Sequence, residues 1–371
     1  MRRRWIYLRI VALSLVAVLL AACASAPPQP AASYRIVGYI ARFDGLETLD
    51  VSHIDTLIFA FAKVQDGAVT LDDAARANLA KVVTLKRRQP RLGVVVSVGG
   101  WTAGGFSEAA MTPATRQRFA DSAAALIVAN GADGLDVDWE YPGHNEGGIA
   151  SSPLDRPNFT ELLRAVRSSL DRAGGGKHYT LSIAAADGPF VDGIDIAAVN
   201  PLLDWFNLMT YDFHNSMTPT SGHHSGLHAS ALAAADSRTT DRAVRQFEAA
   251  GVPARKLFVG AAFYGREFAD VRDAHNGLYQ TYGHYQGEHD WPELKRDFIG
   301  RNGYIRYWDA EAKAPYLWNP TTHRFVSYDD PESLAAKAAY VKAEKLGGVM
   351  YWEQSHDEHG ELVDAIWNGL K

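Results

Sequence analysis

Two stretches of the chain decide its fold: LGVVVSV at residues 92–98 and GLDVDW at residues 134–139. Both are short runs rich in β-branched and apolar residues, as in strands that are covered on both faces. Between them, Pro113 to Asn130 has the apolar period of a helix, and Gly131 follows its end. A strand, a helix and a strand in this order are typical of a parallel sheet with crossover helices.

The same alternation continues along the chain and predicts eight strands. The runs are Arg35–Ile40, Thr56–Ala62, Leu92–Val98, Gly134–Trp139, Tyr179–Ala185, Trp205–Tyr211, Leu257–Tyr264 and Gly348–Trp352. Helical segments such as Asp155–Ala173, which is followed by three glycines, separate them. An open doubly wound sheet also alternates, but no Gly-rich nucleotide fingerprint follows the first strand. We therefore predict an α/β fold, a closed (β/α)8 TIM barrel, with its chemistry at the C-terminal ends of the strands.

The seventh and eighth runs are separated much more widely than the others. The intervening residues 267–327 are rich in Tyr, Trp and His and are too long for a simple loop. They predict a small α+β insertion within a main domain of residues 34–371, followed by a last barrel helix from Pro331 to Lys345. We expect most aromatic residues of the insertion to pack its own core.

The N-terminus resembles a targeting segment. Residues 1–22 contain four arginines and an apolar run, residues 10–20, that is too short to span a bilayer comfortably, which predicts a signal peptide. The run ends in Leu20-Ala21-Ala22-Cys23, which resembles a bacterial lipobox, so Cys23 is a predicted lipidation site, with plain secretory cleavage as the alternative. Residues 23–33, rich in Pro, Ala and Ser, are expected to form a tether. We expect secretion and lipid anchoring to a bacterial membrane, in the periplasm or at the cell surface.

Composition excludes several classes of protein. The single cysteine rules out an internal disulfide and a Cys-rich metal site, so stability must come from an ordinary hydrophobic core. The net formal charge is −6, and loss of the arginine-rich leader would make the chain more acidic. Nucleic acid is therefore not an expected partner.

One motif carries the chemistry: Asp133-Gly134-Leu135-Asp136-Val137-Asp138-Trp139-Glu140, at the end of the predicted fourth strand. Because side chains alternate along a strand, Asp136, Asp138 and Glu140 share one face. Two acids on a strand would be compatible with a face exposed to solvent. Three are not expected on a barrel strand for that reason, because both faces of such a strand are covered. Crowded carboxyls cannot all ionise, so at least one keeps its proton near neutral pH. Glu140 is outermost and is the natural general acid.

This octet resembles the DGxDxDxE motif of family 18 glycoside hydrolases, the chitinase family. Three further elements resemble that family, in the same order and on the predicted third, sixth and eighth strands. They are Ser97-Val98-Gly99-Gly100-Trp101, Met209-Thr210-Tyr211-Asp212 and Gly347-Gly348-Val349-Met350-Tyr351-Trp352. The resemblance covers the chain from about Arg35 to its end, and the insertion resembles that of the chitinase subgroup with a deep cleft.

The resemblance implies a substrate-assisted, retaining mechanism in which the acetamido group of the sugar attacks its own anomeric carbon. Glu140 would protonate the glycosidic oxygen and later activate water. Asp138 would orient the acetamido N–H, Asp136 would be a buried partner that shares a proton with Asp138, and Tyr211 would bind the attacking carbonyl oxygen.

The resemblance also implies a set of substrate contacts. Trp352 would be a platform beneath the reacting sugar, although a core tryptophan is the alternative. Asp212 and Arg266 match sugar-contacting positions, and they would equally suit a structural ion pair.

Three aromatic residues complete the expected site. Trp101 would stack on a leaving-group sugar, whereas Tyr39 and Phe61 would either floor the pocket or pack the barrel. We expect Ser97 and Gly99 to keep the strand end tight around the carboxylates.

His223 and His224, with His214 and His228 nearby, invite a metal-site interpretation. Their spacing is not that of a helical His pair with a catalytic Glu, and the loop is rich in Ser and Gly. We therefore expect surface histidines, no metal and no cofactor.

The resemblance implies hydrolysis of β-1,4 linkages in chitin or chito-oligosaccharides. The enzymatic alternatives are an endo-N-acetylglucosaminidase and a peptidoglycan glucosaminidase. A carbohydrate-binding lectin on the same barrel is the non-catalytic alternative, but lectins of this kind commonly lose the acid that this chain keeps as Glu140. The expected partner is chitin or another N-acetylglucosamine-containing glycan, with membrane contact only through the lipid. We expect a monomer.

Overall fold

A computed structural model describes residues 34–371. The predicted signal peptide, Cys23 and the tether lie outside the described residues. Within 34–371, no helix is both long and apolar enough to cross a membrane.

Fourteen strands in two sheets occur in the described part of the chain. They are β1 (Arg35–Ile40), β2 (Thr56–Gln65), β3 (Ala68–Thr70), β4 (Gly93–Gly99), β5 (Gly134–Asp138), β6 (Thr180–Ala185), β7 (Trp205–Leu208), β8 (Leu257–Ala262), β9 (Tyr264–Ala269), β10 (His284–Asp290), β11 (Ile305–Asp309), β12 (Ala314–Asn319), β13 (Arg324–Ser327) and β14 (Gly348–Trp352).

Eight parallel strands close into a barrel, which confirms the predicted fold. The order is β1, β2, β4, β5, β6, β7, β8 and β14, and β14 pairs with β1. The short strand β3 forms an antiparallel hairpin with the end of β2. The sixth barrel strand ends earlier than predicted, at Leu208, because the Thr210 N–H donates to the Leu208 carbonyl instead of to a neighbouring strand.

Helices of the main domain cover the outside of the barrel, and one short helix belongs to the insertion. They are α1 (Asp73–Thr84), α2 (Phe106–Ala110), α3 (Pro113–Ala129), α4 (Asp155–Gly174), α5 (Ile196–Val199), α6 (Thr240–Ala249), α7 (Trp291–Glu293), α8 (Pro331–Ala343) and α9 (Glu361–Leu370). Local sequence sets several of their ends. Thr112 caps the start of α3 ahead of Pro113, Asp330 does the same for α8, and Gly175 ends α4 in a left-handed conformation.

The core has two layers, and the alternation predicted for the fourth barrel strand is confirmed. Leu135, Val137 and Trp139 point outward into the layer between strands and helices. Trp139 stacks on Phe106 at a ring distance of 5.4 Å. Inward-facing side chains fill the barrel itself, and they include aromatic and small residues from most of its strands. Asp136 and Asp138 therefore face the barrel interior.

The predicted α+β insertion is a five-stranded antiparallel sheet, with strand order β10, β9, β13, β12, β11, together with α7 and a π-helical turn, Leu294–Phe298. It begins at Tyr264, inside the predicted seventh run, because β9 follows β8 after one intervening residue. Phe268, Trp318 and Phe325 pack in a cluster of the insertion's own, as expected for its aromatics. Its other face is different, since Trp291 and Phe298 belong to the large core shared with the barrel.

Candidate active site

Asp136 lies at the centre of a polar layer inside the barrel. The strand register aligns Ser97 on β4 and Ser182 on β6 with Asp136 on β5. The carboxylate accepts hydrogen bonds from Ser97 Oγ (2.8 Å), Tyr39 OH (2.8 Å), Ser182 Oγ (2.6 Å) and Asn207 Nδ2 (3.1 Å). Burial raises the pKa of Asp136 above its ordinary value, although these four donors oppose that shift. Asp136 is thus fixed in position by neutral donors that favour its ionised form.

Asp138 lies two residues further along β5 and is almost fully buried. Within the described residues, its Oδ1 has no hydrogen-bond partner. Burial, followed by the negative charges of Glu140 and Asp136, raises the pKa of Asp138 well above its ordinary value. A buried carboxyl oxygen without a partner is costly, so this oxygen is available to a ligand.

Gly99 allows β4 to approach β5 closely at this point. Its φ is 122°, and a Cβ there would lie 2.0 Å from the Asp138 carbonyl oxygen. The N–H of Gly100 donates to the same oxygen at 2.9 Å. A larger side chain at Gly99 would push the strand end away from the carboxylates, in agreement with the role expected for Ser97 and Gly99.

Glu140 is at the mouth of the barrel, immediately beyond β5. Burial, with a contribution from the charge of Asp212, raises the pKa of Glu140 to about 7, against a lowering contribution from Tyr141. Crowding was expected to keep a proton on at least one carboxyl, and the pKa values of both Asp138 and Glu140 are raised. Glu140 therefore holds a proton in a large fraction of molecules at neutral pH.

A cavity of about 530 Å³ opens at this end of the barrel. Its volume is in the range of small-molecule sites. Apart from Asp136, which lies below it, every predicted site residue within 34–371 lines the cavity. Residues that sequence reasoning missed also line it: Tyr141, Ala184, Ala186, Phe190, Met209, Asn215, Ser216, Met217, Arg238, Tyr264, Tyr285 and Glu288.

Trp352, Tyr39 and Phe61 form one aromatic wall of the cavity, here called the Trp352 group. The Trp352 ring stacks on Phe61 at 5.8 Å, with an angle of 18° between planes, and lies 5.7 Å from Tyr39. Trp352 is only partly buried, so an apolar face remains open to the cavity. Tyr39 serves two purposes, since it lines the cavity and also donates to Asp136.

Tyr211 is buried and lines the cavity beside the carboxylates. Within residues 34–371, the one hydrogen-bond partner of its hydroxyl is the sulfur of Met350, at 3.8 Å. Burial, together with the negative charge of Asp138, raises the pKa of Tyr211 well above its ordinary value. The phenol therefore stays protonated and can donate a hydrogen bond to a ligand.

Asp212 and Arg266 form a bidentate ion pair that faces the cavity. The distances are 2.5 Å from Nε to Oδ1 and 2.6 Å from Nη2 to Oδ2, and Tyr264 OH donates to the same carboxylate at 2.7 Å. Burial opposes ionisation of Asp212, but His224 and the charge of Arg266 outweigh it and hold the pKa of Asp212 well below its usual value. Both interpretations that the sequence left open are thus compatible: the two residues pair with each other and also line the cavity.

A second aromatic group lies beside Glu140 and consists of Trp101, Tyr141 and Phe190; it is called the Tyr141 group. The Tyr141 ring lies 4.7 Å from Phe190 and 6.2 Å from Trp101. Trp101 is 47% exposed, and so presents an open apolar surface at the cavity rim. Tyr141 lies in a loop and Phe190 in a short 3-10 helix, Gly188–Gly193, and in such segments no period of the sequence indicates which way a side chain points.

The expectation of surface histidines is wrong for His223 and His224, which are 2% and 0% exposed. His223 Nε2 lies 3.1 Å from Asp309 of the insertion, and His224 Nδ1 lies 3.5 Å from Asp212. The loop is rich in Ser and Gly, but the insertion covers it. No group of three or more His, Cys, Asp or Glu side chains in residues 34–371 is arranged to hold a metal ion.

A closed barrel whose fourth strand presents a row of carboxylates to an aromatic-lined cavity defines a barrel glycosidase. The model of the family "Glycosyl hydrolases family 18" matches residues 35–357. The chain therefore belongs to glycosyl hydrolases family 18, the family of chitinase-type glycosidases.

Individual relatives agree with this family. Chitinase A1 of Niallia circulans is 40% identical over 80% of this chain and 45% of its own length, so the chain spans less than half of that relative. Chitinase 1 of Aphanocladium album is 34% identical over 77% of this chain and 67% of its own length. Among solved structures, a family 18 N-acetylglucosaminidase from Paenibacillus barengoltzii superposes with a TM-score of 0.86 and 42% identity, covering 91% of this chain and 100% of that chain.

Proposed function

We propose that the protein hydrolyses β-1,4 linkages of chitin or chito-oligosaccharides, with retention of configuration and with Glu140 as general acid and base. One observation carries the proposal: Glu140, whose pKa is about 7, faces the same cavity as Asp138, whose Oδ1 has no partner within residues 34–371. The names of the chitinase relatives support the substrate class. The presence of Glu140 favours an enzyme over a lectin.

In the first step, the reacting N-acetylglucosamine unit stacks on Trp352. Asp138 Oδ1 accepts the acetamido N–H, and the Tyr211 hydroxyl donates to the acetamido oxygen. Glu140 gives its proton to the glycosidic oxygen while the acetamido oxygen attacks the anomeric carbon. The glycosidic bond breaks and an oxazolinium ion forms. Internal attack removes the entropic cost of bringing in a separate nucleophile, which amounts to several kcal/mol.

In the second step, the ionised Glu140 takes a proton from water as the water attacks the anomeric carbon. The oxazolinium opens, and the two inversions together retain the configuration. Asp136 takes part indirectly. Its four neutral donors favour an ionised Asp136, and that charge adds to burial and to the charge of Glu140 in raising the pKa of Asp138, which supports a proton on Asp138 rather than on Asp136.

A second candidate function is that of an N-acetylglucosaminidase acting on another glycan. It is favoured by the Paenibacillus barengoltzii structure, which matches this chain over the full length of that protein. Product analysis on chitin oligomers, N-glycans and peptidoglycan, run side by side, separates the candidates. We expect chitin oligomers to be cleaved fastest. Faster release from either other glycan would reject the chitinase assignment.

Substrate assistance is tested separately with partly deacetylated chitosan. Every new reducing end should carry an N-acetyl group, since an amine cannot form the oxazolinium. A stable thiazoline mimic of the intermediate should inhibit competitively. Frequent glucosamine at new reducing ends would refute the mechanism and require a direct carboxylate nucleophile.

We further propose that the enzyme is secreted and held at a membrane through a lipid on Cys23. The sequence Leu20 to Cys23 supports this proposal, and a Paenibacillus chitinase of similar structure, with a TM-score of 0.85, is cell-surface-expressed. Cys23→Ser should move the protein from the membrane fraction to the soluble fraction, whereas Ser25→Ala should not. An unchanged membrane fraction in Cys23→Ser would reject lipidation. The monomeric state remains a prediction that sedimentation tests.

A further inference from the structure

We propose that Arg238 binds the sugar on the leaving-group side of the scissile bond, by donating a hydrogen bond from Nη1 to a neutral oxygen of that sugar. The inference rests on the proposed glycosidase function, and it adds a specificity-determining residue to it. Arg238 lies outside every motif that placed the chain in its family.

The guanidinium of Arg238 is held in a fixed position. Its Nε donates to Asp187 Oδ1 at 2.9 Å, and its Nη2 donates to the same oxygen. Its Cζ lies over the rings of Phe213, at 5.0 Å from the ring centroid, and Phe190, at 5.8 Å. Asp187 is almost fully buried, two residues beyond the end of β6. A group held by an ion pair and two rings has little rotational freedom left to lose when it binds a ligand.

The remaining nitrogen, Nη1, has no hydrogen-bond partner within residues 34–371. Arg238 lines the cavity, and its side chain is 27% exposed. Because Asp187 neutralises the guanidinium charge, the free N–H groups suit an uncharged acceptor such as a hydroxyl or an acetamido oxygen. Neutral sugars offer several such oxygens.

The position of Arg238 indicates which sugar it would bind. Phe190, which lies under the guanidinium, contacts Tyr141, and Tyr141 directly follows Glu140. The Trp352 group, in which the Trp352 ring contacts Tyr39 and Phe61, contains none of these residues. If the reacting sugar stacks on Trp352, the opposite side of Glu140 must hold the leaving group.

This arrangement predicts that the effect of Arg238 on kcat/KM depends on the leaving group. A sugar leaving group offers oxygens to Arg238, whereas a 4-nitrophenyl group offers no sugar hydroxyl or acetamide. The test compares kcat/KM for chitotetraose with kcat/KM for a 4-nitrophenyl glycoside of N-acetylglucosamine or its β-1,4 dimer, whichever the parent cleaves faster. The variant pairs Arg238→Met with Asp187→Asn, so that no buried carboxylate is left without a partner.

We expect kcat/KM to fall roughly tenfold to a hundredfold more on chitotetraose than on the aryl glycoside, which is the range for a hydrogen bond from a charged group. Arg245→Met, on the exposed face of α6, is the matched control and should leave the ratio unchanged. Equal losses on both substrates, or no loss, would overturn the proposal.

If thermal melting shows that the double variant does not fold, the Arg238→Lys variant is the deciding test. Lysine keeps the positive charge but loses the forked guanidinium donor. We therefore expect the ratio of the two kcat/KM values to change in the same direction, by a smaller factor. A parent enzyme that cleaves neither substrate would instead reject the proposed function.

Discussion

The barrel and the insertion both contribute to the cavity, but they do so in opposite ways. The barrel presents Asp136 and Asp138 at successive inward positions of β5 and Glu140 two residues beyond its end, and burial raises the pKa of each. The insertion presents Arg266 and Glu288, which are direct partners on the antiparallel strands β9 and β10. They form an ion pair of 2.9 Å, with Glu288 52% exposed. Proton transfer requires buried carboxyls with raised pKa values, whereas a wall that contacts a neutral polymer requires paired charges at a partly exposed surface.

The two regions nevertheless share one hydrophobic core. Trp291, Leu294 and Phe298 of the insertion are buried in the same cluster as the barrel strands and helices. Deletion of the insertion would therefore expose the barrel core and confound any effect on catalysis. Point substitutions at the cavity surface compare the two regions more cleanly.

The largest expected effect comes from the barrel acid. Glu140→Gln keeps the shape of the side chain but removes its proton, and we expect turnover to fall by roughly two to four orders of magnitude. Initial rates on chito-oligosaccharides and binding of a non-hydrolysed analogue measure both properties. Binding and the melting temperature should stay near those of the parent. Glu161→Gln, on the exposed face of α4, is the control, and near-normal turnover in a folded Glu140→Gln protein would reject the assignment.

A smaller effect is expected where the two regions meet, at Asp212. Asp212→Asn removes a negative charge that helps to raise the pKa of Glu140 and also leaves Arg266 without its main partner. We expect kcat/KM to fall about tenfold to a hundredfold.

The pH profile gives the sign of this effect. Glu140 is protonated below its pKa of about 7 and loses its proton as the pH rises through that value. Activity of the parent should therefore fall on the alkaline side. In Asp212→Asn, the lower pKa of Glu140 should move this fall to lower pH. Asp270→Asn, at an exposed position, should leave the profile unchanged, and an alkaline shift in Asp212→Asn would contradict the coupling.

The smallest effect is expected within the insertion. Tyr285→Phe combined with Glu288→Gln removes polar groups from the cavity wall without touching the shared core. The loss of kcat/KM should be roughly threefold to tenfold on a hexamer and less on a dimeric chromogenic substrate, because only long chains reach the wall. Glu311→Gln, in a turn of the insertion, is the control. Equal losses on both substrates would show that the insertion is not a substrate wall.

The barrel strands and the carboxylate row were predictable because strand period alone fixes which side chains share a face. Ser182 and Asn207 were missed, although each carries a signal: a polar residue inside a short, mainly apolar strand, TLSIAA and WFNL. Phe190, in a short 3-10 helix, and Arg238, in a loop, had no such signal, since contacts between distant segments set their directions. His223 was misjudged for the same reason, because its partner Asp309 lies in the insertion.

The four hydrogen bonds to Asp136 also bear on how the barrel closes in a single register. Ser97, Asp136 and Ser182 are aligned across three neighbouring strands. A slip of β5 by one residue would turn Asp136 toward the helices and place Val137 among the polar donors. That error would bury a carboxylate without partners and leave four donors unpaired, at a cost on the order of several kcal/mol. Asp136, beneath the active site, thus also disfavours misaligned barrels, so that this position serves folding as well as chemistry.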